Sequence, residues 1–292
     1  MNMKYQENVT LKDYTTLKIG GPAARLYEPE TEDEMAAILR QSQQENIPLF
    51  VLGNGSNVLF EDEGYHGWIL HLGRQWSGMQ RLDGSRIQVY SGTTNEQLAA
   101  FARDNGLTGY EFASGIPGTV GGAICMNAGA YDGETVNVLE SVRWMDRDGT
   151  IHETPASQLD LSYRHSRFSD TFGLVLSAIY QLKPGDAKAI GDRMEELHDR
   201  RWSKQPMDKA SAGSTFKRPA NGYASALIQA SGLQGLHVGD AAVSAKHAGF
   251  LINEGSATCA QFLELVRKVA DKVEEDSGIR LEMEIHQAGT GK

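Results

Sequence analysis

A glycine-rich run from Gly109 to Glu134 constrains this chain more than any other stretch. Seven of its 26 residues are glycine, and apolar residues such as Ile116, Val120 and Ile124 are interleaved with them. Because glycine has no Cβ, such a backbone can approach a ligand closely and present its N–H groups to phosphate oxygens. A tight turn packed in a core is the alternative for any single glycine. For the whole run we predict a ligand-binding segment, because a second loop of this kind lies upstream.

The second loop reads Gly53-Asn54-Gly55-Ser56-Asn57 and follows an apolar stretch, Pro48 to Leu52, that predicts a short buried strand. A strand that leads into a glycine-rich turn is typical of dinucleotide phosphate sites. The spacing is not the Rossmann fingerprint, however, because Val58 stands where the third glycine belongs. Neither loop ends in the Gly-Lys-Ser/Thr of a P-loop. We therefore predict that the chain binds a large phosphate-bearing cofactor. Its fold is expected to be neither a Rossmann fold nor a P-loop fold.

Charge and composition limit the partners and the compartment. The 292 residues carry a net charge of −10, which argues against nucleic acid or an anionic membrane as the main partner. The two cysteines, Cys125 and Cys259, are too few for a disulfide framework and fit a reducing compartment. The N-terminus lacks the apolar core of a signal peptide, and no apolar run is long enough to cross a membrane. We expect a cytoplasmic protein with no metal site and no obligatory protein partner.

Periodicity and capping signals predict both helices and strands along the chain. Thr31 and Glu34 form a capping box at the start of a helix that runs to about Glu45. The later helices are expected at residues 95–105, 187–204, 221–230 and 258–275. The later strands include residues 86–90, 174–182 and 279–285. Pro184-Gly185 breaks the chain before the charged helix, and we place a domain boundary there.

Six short segments carry a family resemblance. In chain order they are residues 16–22 (TLKIGGP), 53–57 (GNGSN), 114–122 (SGIPGTVGG), 162–164 (SYR), 213–217 (GSTFK) and 281–284 (LEME). Each motif is weak alone, but six in order over nearly the whole chain are specific. The chain resembles the UDP-N-acetylenolpyruvoylglucosamine reductase family, the flavin enzymes that complete UDP-N-acetylmuramate in bacterial peptidoglycan synthesis.

The resemblance implies an α+β flavoprotein with an FAD-binding domain of the PCMH/vanillyl-alcohol-oxidase type and a C-terminal α+β substrate-binding domain. Residues 1–60 and 61–185 would form the two FAD-binding subdomains, and residues 186–292 the substrate-binding domain. FAD would be bound non-covalently, with NADPH as co-substrate and a UDP-sugar as substrate. The FAD contacts that we predict are Gly53, Asn54, Gly55, Ser56, Asn57, Ser114, Gly115, Ile116, Pro117, Gly118, Val120, Gly121, Gly122, Ala128, Gly129 and Ala130.

The implied reaction requires a cation and a proton donor. Hydride addition to an enol ether builds negative charge on the conjugated carboxylate, and the neighbouring carbon then takes a proton. Arg164 matches the family arginine that polarises the carboxylate, Ser214 the proton donor and Glu284 the catalytic glutamate. Lys217 is a candidate to stabilise the alkoxide that Ser214 would leave. The chain departs from the family at His286, where the family has arginine.

A diphosphate substrate on an acidic chain requires basic residues to concentrate locally. The substrate contacts that we predict are Tyr163, Lys217, Arg218, Lys246 and His247. Arg218 stands where the family often has asparagine. Between Leu182 and Gly213 the chain has no tyrosine and no surplus segment. It therefore resembles the short form of the family, which lacks an extra substrate-binding loop.

Two other functions stay open on the sequence. The first is an oxidase of alcohols or sugars on the same kind of FAD domain. Many such oxidases hold FAD through a histidine bond, but His66 and His71 are the only histidines before the glycine-rich run and neither lies in a glycine loop. The second is a non-catalytic flavin or nucleotide sensor. The presence of Arg164, Ser214 and Glu284 argues against a sensor.

Overall fold

The computed structural model describes residues 4–289, which divide into two compact units. Among them, unit 1 comprises residues 4–5, 26–53 and 68–200, and unit 2 comprises residues 6–25, 54–67 and 201–289. Both units are discontinuous in sequence, whereas the predicted boundaries after residues 60 and 185 assume continuous domains. The division into three domains by binding role stays a prediction.

Threonine caps mark the starts of four of the helices. The helices are α1 (Glu32–Gln44), α2 (Asn95–Asp104), α3 (Val120–Cys125), α4 (Arg167–Asp170), α5 (Ala187–Lys204), α6 (Ala224–Ala230) and α7 (Cys259–Ser277). Thr31, Thr94, Thr119 and Thr258 each accept a backbone N–H from three residues on. No helix within residues 4–289 is long and apolar enough to cross a membrane.

Two helix predictions differ from the structure in detail. The capping box predicted at Thr31 is half made, because the Glu34 side chain accepts the N–H of Glu30 instead. Helix α6 begins at Ala224 rather than Asn221. Gly222 has φ 109, which is incompatible with a helix, so the helix starts after it.

The strands are short and distributed along the whole chain. They are β1 (Tyr5–Thr10), β2 (Pro22–Tyr27), β3 (Leu49–Leu52), β4 (Val58–Phe60), β5 (Tyr65–His71), β6 (Met79–Arg81), β7 (Arg86–Tyr90), β8 (Leu107–Thr108), β9 (Gly129–Ala130), β10 (Gly133–Glu134), β11 (Leu139–Met145), β12 (Ile151–Pro155), β13 (Leu174–Gln181), β14 (Lys183–Pro184), β15 (Ala210–Ser211), β16 (His237–Val238), β17 (Ala241–Val243), β18 (Leu251–Asn253) and β19 (His286–Ala288). With the helices, they make the α+β fold that the sequence predicts.

Unit 1 is built on a five-stranded antiparallel sheet in the order β12-β11-β13-β7-β6. Alternate residues of β13 enter two different cores. Leu174 and Leu176 pack with α1 and with residues of the parallel pair β3 and β5. Val175 packs with α2 and the apolar residues of the glycine-rich run, among them Tyr110 and Val120. The run is therefore anchored on one face of this sheet by its own apolar side chains.

Unit 2 contains a four-stranded antiparallel sheet in the order β15-β18-β17-β16, and α7 packs against β16 and β17. The apolar stripe of α7, with Phe262 and Leu265, lies in the core as predicted. The prediction of a last strand over residues 279–285 is wrong. Residues 279–285 form one isolated bridge, from Met283 to Phe216, and the strand β19 begins at His286 and pairs in parallel with β4.

Candidate active site

The glycine-rich run of unit 1 forms a turn and then the short helix α3. Thr119 caps this helix with its hydroxyl group. The N–H groups of Val120 and Gly121 donate to the carbonyl oxygens of Thr93 and Ser91, at 2.8 and 2.9 Å. Because the protein itself uses these two donors, they are not available to phosphate oxygens, and phosphate binding by the other members of the run stays a prediction.

The two glycine loops meet where Gly53, at the end of β3, lies against Thr119. A Cβ added to Gly53 would be 2.5 Å from the Thr119 hydroxyl oxygen, and one on Gly121 would be 2.9 Å from the Cβ of Ser91. Packing therefore requires glycine at both positions. Gly122 differs, because it is exposed and an added Cβ would meet the Thr119 oxygen at 3.7 Å, an ordinary contact. The backbone at Gly122 is therefore accessible, close to the contact between Gly53 and Thr119.

The accessible edge of the run fits a large cofactor such as FAD. Its members Ser114, Gly115, Ile116, Gly118, Ala128, Gly129 and Ala130 are half-buried, and Pro117 is exposed. These residues present mostly backbone and small side chains, which leave room for a group with a diphosphate. Val120 is the exception, because its side chain is fully buried in the core. Because Val120 as a whole is 0% exposed and its N–H bonds to Thr93, the structure offers no accessible atom of Val120 for the predicted cofactor contact.

Arg164 lies at the corner of a tight turn between Ser162 and His165. These flanking residues exchange two backbone hydrogen bonds of 3.1 Å, which leaves Tyr163 and Arg164 as the corner residues. Arg164 has φ 55, in the left-handed region where glycine or asparagine is usual. Backbone strain of this kind concentrates at functional sites. The turn therefore holds an arginine at a position where its backbone is unfavourable.

The Arg164 side chain reaches back to the glycine-rich run. Its Nη2 atom donates to the carbonyl oxygen of Gly129 at 3.4 Å. Its guanidinium carbon lies 5.0 Å from the centre of the Tyr163 ring. Arg164 is half-buried, whereas 47% of Tyr163 is exposed. The predicted cation thus lies beside Gly129, a predicted cofactor contact.

In unit 2, Thr215 holds the Ser214 segment against the Glu284 segment. The N–H of Thr215 donates to the carbonyl of Gly249 at 2.9 Å, and its buried hydroxyl accepts the N–H of Leu251 at 3.0 Å. The N–H of Glu284 donates to the carbonyl of Thr215 at 2.8 Å. Ser214 is exposed and Glu284 is half-buried. The structure therefore brings these two predicted catalytic residues onto neighbouring segments.

The basic residues at positions 217 and 218 have local partners. The Nζ atom of Lys217 lies 3.2 Å from Oε2 of Glu282 and forms an ion pair with it. Arg218 stacks over the Tyr223 ring at 4.3 Å, and its Nε atom donates to the carbonyl of Gly222 at 3.3 Å. Lys217 is paired with the Glu282 carboxylate. Its expected role, to stabilise the alkoxide that Ser214 would leave, stays a prediction.

Lys246 and His247 follow a turn that Ser244 fixes. The buried Ser244 hydroxyl accepts the N–H groups of both residues, at 3.2 and 3.3 Å. The Nζ atom of Lys246 donates to the carbonyl of Trp202 at 2.5 Å. The Nδ1 atom of His247 accepts the N–H of Gly249 at 3.2 Å, and burial lowers the pKa of His247. The imidazole is therefore favoured in its neutral form, with its proton on Nε2.

Asn57 links the first glycine loop to the C-terminal segment within unit 2. Its Nδ2 atom donates to the carbonyl of Glu284 at 3.3 Å, and its own carbonyl accepts the N–H of His286 at 3.0 Å. Gly55 has φ 58, and an added Cβ would lie 2.2 Å from the carbonyl of Tyr14. Close packing thus explains the glycine. Asn57, a predicted cofactor contact, is bonded directly to Glu284, a predicted catalytic residue.

Sequence reasoning missed the buried hydroxyl groups that position these candidates. Thr215, Ser244 and Ser166 are each at most 2% exposed, and each hydroxyl bonds a backbone group. Thr215 and Ser166 bond to residues that are distant in sequence. The Thr215 hydroxyl accepts from Leu251, 36 positions away, and the Ser166 hydroxyl donates to the carbonyl of Cys125, 41 positions away. No local pattern of residues signals a bond of this kind.

Comparison with known proteins identifies the family. Residues 23–155 match the model of the FAD binding domain, and residues 205–288 match that of the UDP-N-acetylenolpyruvoylglucosamine reductase C-terminal domain. The chain is 43% identical over 284 residues to UDP-N-acetylenolpyruvoylglucosamine reductase of Clostridium novyi, covering 97% of this chain and 92% of that protein. This chain belongs to the UDP-N-acetylenolpyruvoylglucosamine reductase family.

Other members of the reductase family match over the same extent. The Streptococcus pneumoniae enzyme of that name is 39% identical over 292 residues, covering 100% of this chain and 96% of the relative. The crystal structure of the Thermus caldophilus reductase superposes with a TM-score of 0.85 at 38% identity and covers 98% of this chain and 99% of that chain. The predicted family, the α+β fold with an FAD-binding domain and FAD as the cofactor are therefore confirmed.

The two matched domains divide the candidates of this reductase-family chain. Both glycine loops lie within the segment that matches the FAD binding domain, and Ser214 and Glu284 lie within the C-terminal match. Arg164 falls between the two matched segments. The individual roles of these residues stay predictions.

Proposed function

We propose that this protein catalyses the NADPH-dependent, FAD-mediated reduction of the enolpyruvyl group of UDP-N-acetylenolpyruvoylglucosamine. The product is UDP-N-acetylmuramate, used in peptidoglycan synthesis, and the enzyme acts in the cytoplasm on small molecules without an obligatory protein partner. The observation that carries the proposal is the pairing of the Ser214 and Glu284 segments, at 2.8 Å between Glu284 N and Thr215 O, in a chain of this family.

The chemistry separates into a part supplied by the cofactor and a part supplied by the chain. When bound, FAD supplies hydride transfer from NADPH to the enol-ether double bond. Arg164 binds the substrate carboxylate with its guanidinium fork and stabilises the negative charge that develops there. Ser214 donates a proton from its exposed hydroxyl to the neighbouring carbon. Glu284, on the segment paired with Ser214, completes the catalytic trio.

The basic and aromatic candidates serve the sugar nucleotide. Lys217, Arg218 and Lys246 are exposed cations on a chain of net charge −10, so they supply local attraction for the diphosphate. His247 in its neutral form is a hydrogen-bond donor through Nε2. Tyr163, with 47% of its surface exposed next to Arg164, offers a face for stacking.

The proposal is tested with the purified protein, NADPH and the enolpyruvyl sugar nucleotide. We expect a yellow protein with about one FAD per chain, whose flavin is released on acid precipitation, and oxidation of NADPH that depends on the sugar nucleotide. Flavin that stays with the acid precipitate would favour an oxidase with covalent FAD. Flavin that NADPH does not bleach would favour a non-catalytic sensor.

A further inference from the structure

The side chain of Asn127 is fully buried and forms hydrogen bonds with three residues of unit 1. Its Nδ2 atom donates to the carbonyl of Ser162 at 3.0 Å and to Oε2 of Glu134 at 3.1 Å. Its Oδ1 atom accepts the N–H of Val136 at 2.9 Å. A buried amide engaged in this way fixes its neighbours in one arrangement, because each broken bond leaves an unsatisfied buried group.

The backbone conformation at position 127 does not by itself explain why asparagine is present there. Asn127 has φ 40, on the left-handed side that asparagine tolerates better than most residues. This conformation ends α3 and turns the chain towards β9. Glycine would meet that backbone requirement at least as well. The amide therefore has a separate role, and its bonds indicate what that role is.

Hydrogen bonds from the end of α3 hold the turn that carries Arg164. At the start of the turn, the carbonyl of Ser162 accepts from Asn127 at 3.0 Å. Just after the turn, the buried Ser166 hydroxyl donates to the carbonyl of Cys125 at 2.8 Å. Both ends of a strained corner are thus held by the last residues of α3 and the residues that follow it.

We propose that Asn127 is a positioning residue for Arg164, whose turn it holds so that the guanidinium meets the substrate carboxylate in productive geometry. This inference rests on the role of Arg164 in the proposed function. A group that stabilises developing charge must be held within about 0.5 Å. A misplacement of about 1 Å can cost about 100-fold in rate. Because Arg164 has the unfavourable φ of 55, the turn depends on bonds from outside it.

The test uses Asn127→Gly in the FAD-loaded full chain, because glycine keeps the backbone and removes only the amide. We expect NADPH to bleach the flavin at nearly the wild-type rate, and recovery of absorbance with the enolpyruvyl substrate to slow by about 10- to 100-fold. Trypsin should also cut after Arg164 faster than in wild type, which is a readout independent of activity.

Thr154→Val is the matched control in unit 1. Thr154 is buried and accepts the indole N–H of Trp144 at 2.9 Å, so this variant also loses one buried hydrogen bond. We expect it to lower stability and to leave recovery of absorbance and cleavage after Arg164 at wild-type rates. If Asn127→Gly does not hold FAD, Ser166→Ala replaces it, because it releases the other end of the turn.

A double-mutant cycle with Arg164→Met separates positioning from general damage. If Asn127 acts through Arg164, adding Asn127→Gly to Arg164→Met should change the recovery rate by less than about threefold. A loss of the same size in both backgrounds overturns the proposal, as does a wild-type recovery rate in Asn127→Gly alone. If Arg164→Met itself recovers at the wild-type rate, the proposed role of Arg164 fails first and the positioning role fails with it.

Discussion

The N–H of Glu284 donates to the carbonyl oxygen of Thr215 at 2.8 Å. An isolated bridge between Phe216 and Met283 lies next to this bond. Together they pair two segments that are far apart in sequence. Because Ser214 directly precedes Thr215, the predicted proton donor is carried on a segment that the Glu284 segment holds in place.

The Thr215 hydroxyl should matter for stability through the bond that it accepts. Thr215→Val leaves the buried N–H of Leu251 without its acceptor, so we expect the free energy of unfolding to fall by about 1–3 kcal/mol. Thr215→Ser keeps the acceptor and loses one methyl group, so its loss should be smaller. Urea unfolding of the FAD-loaded protein measures both. A loss in the serine variant as large as in the valine variant would show that the methyl group, not the hydroxyl, is what the fold requires.

Substitutions at Arg164 should lower turnover more than binding. Arg164→Lys keeps the charge and loses the guanidinium fork, so we expect partial activity. Arg164→Met loses both, and removal of a comparable charge-stabilising donor costs about 2.7–4 kcal/mol, or about 10²–10³-fold in kcat. Steady-state kcat and KM at saturating NADPH test this, because an interaction strengthened in the transition state acts on kcat. A raised KM with unchanged kcat would mean that Arg164 only recruits the substrate.

Glu284→Gln should also lower kcat, with a smaller effect on substrate binding. A carboxylate does not attract the substrate carboxylate, so its removal costs little ground-state affinity. The same steady-state assay applies. A large rise in KM with little change in kcat would place Glu284 among the binding residues and outside the catalytic trio.

The ion pair between Glu32 and Arg143 predicts a specific dependence of stability on pH. Glu32 begins α1 and pairs with Arg143 on β11 through both carboxylate oxygens, and the Arg143 hydrogen bond is the largest cause that lowers the pKa of Glu32. A group with a lowered folded-state pKa stabilises the fold above its unfolded pKa, and this contribution is lost as pH falls through the folded pKa. Glu32→Gln should therefore cost up to about 1 kcal/mol near neutral pH and little at low pH.

Asp192→Asn is the matched control for that pair. Asp192 and Lys188 form an ion pair on α5 with side chains 62% and 81% exposed, so removal of the Asp192 charge should change stability less than removal of the Glu32 charge. Thermal unfolding of both variants over a range of pH tests the difference. Equal effects of the two substitutions would show that the partly buried pair contributes no more than an exposed one.

The sequence predicts elements well where the signal is local. Helix α5 spans Ala187–Lys204 as expected, and strand β7 spans Arg86–Tyr90. Gly106 and Gly278 have φ 64 and 72, as expected of residues that end helices. In each case the signal lies in the residues of the element or in those directly after it.

The failures occur where a distant partner decides the structure. Residues 279–285 are predicted as one strand, and Leu281 and Ile285 in this segment are buried. The sequence does not reveal that this segment pairs with the Ser214 segment through one isolated bridge, or that the regular pairing with β4 starts at His286. The buried side chain of Asn127 is hidden for the same reason, because its partner Ser162 lies 35 positions away.

Ser214 is proposed to protonate the substrate after hydride transfer, and stopped-flow measurement of the two half-reactions of Ser214→Ala tests this role. We expect NADPH to bleach the flavin of the variant at nearly the wild-type rate. Recovery of absorbance with the enolpyruvyl substrate should slow by about 10²–10⁴-fold, the range of a lost general acid. Equal slowing of both half-reactions, or recovery at the wild-type rate, would contradict the assignment of Ser214 as the proton donor.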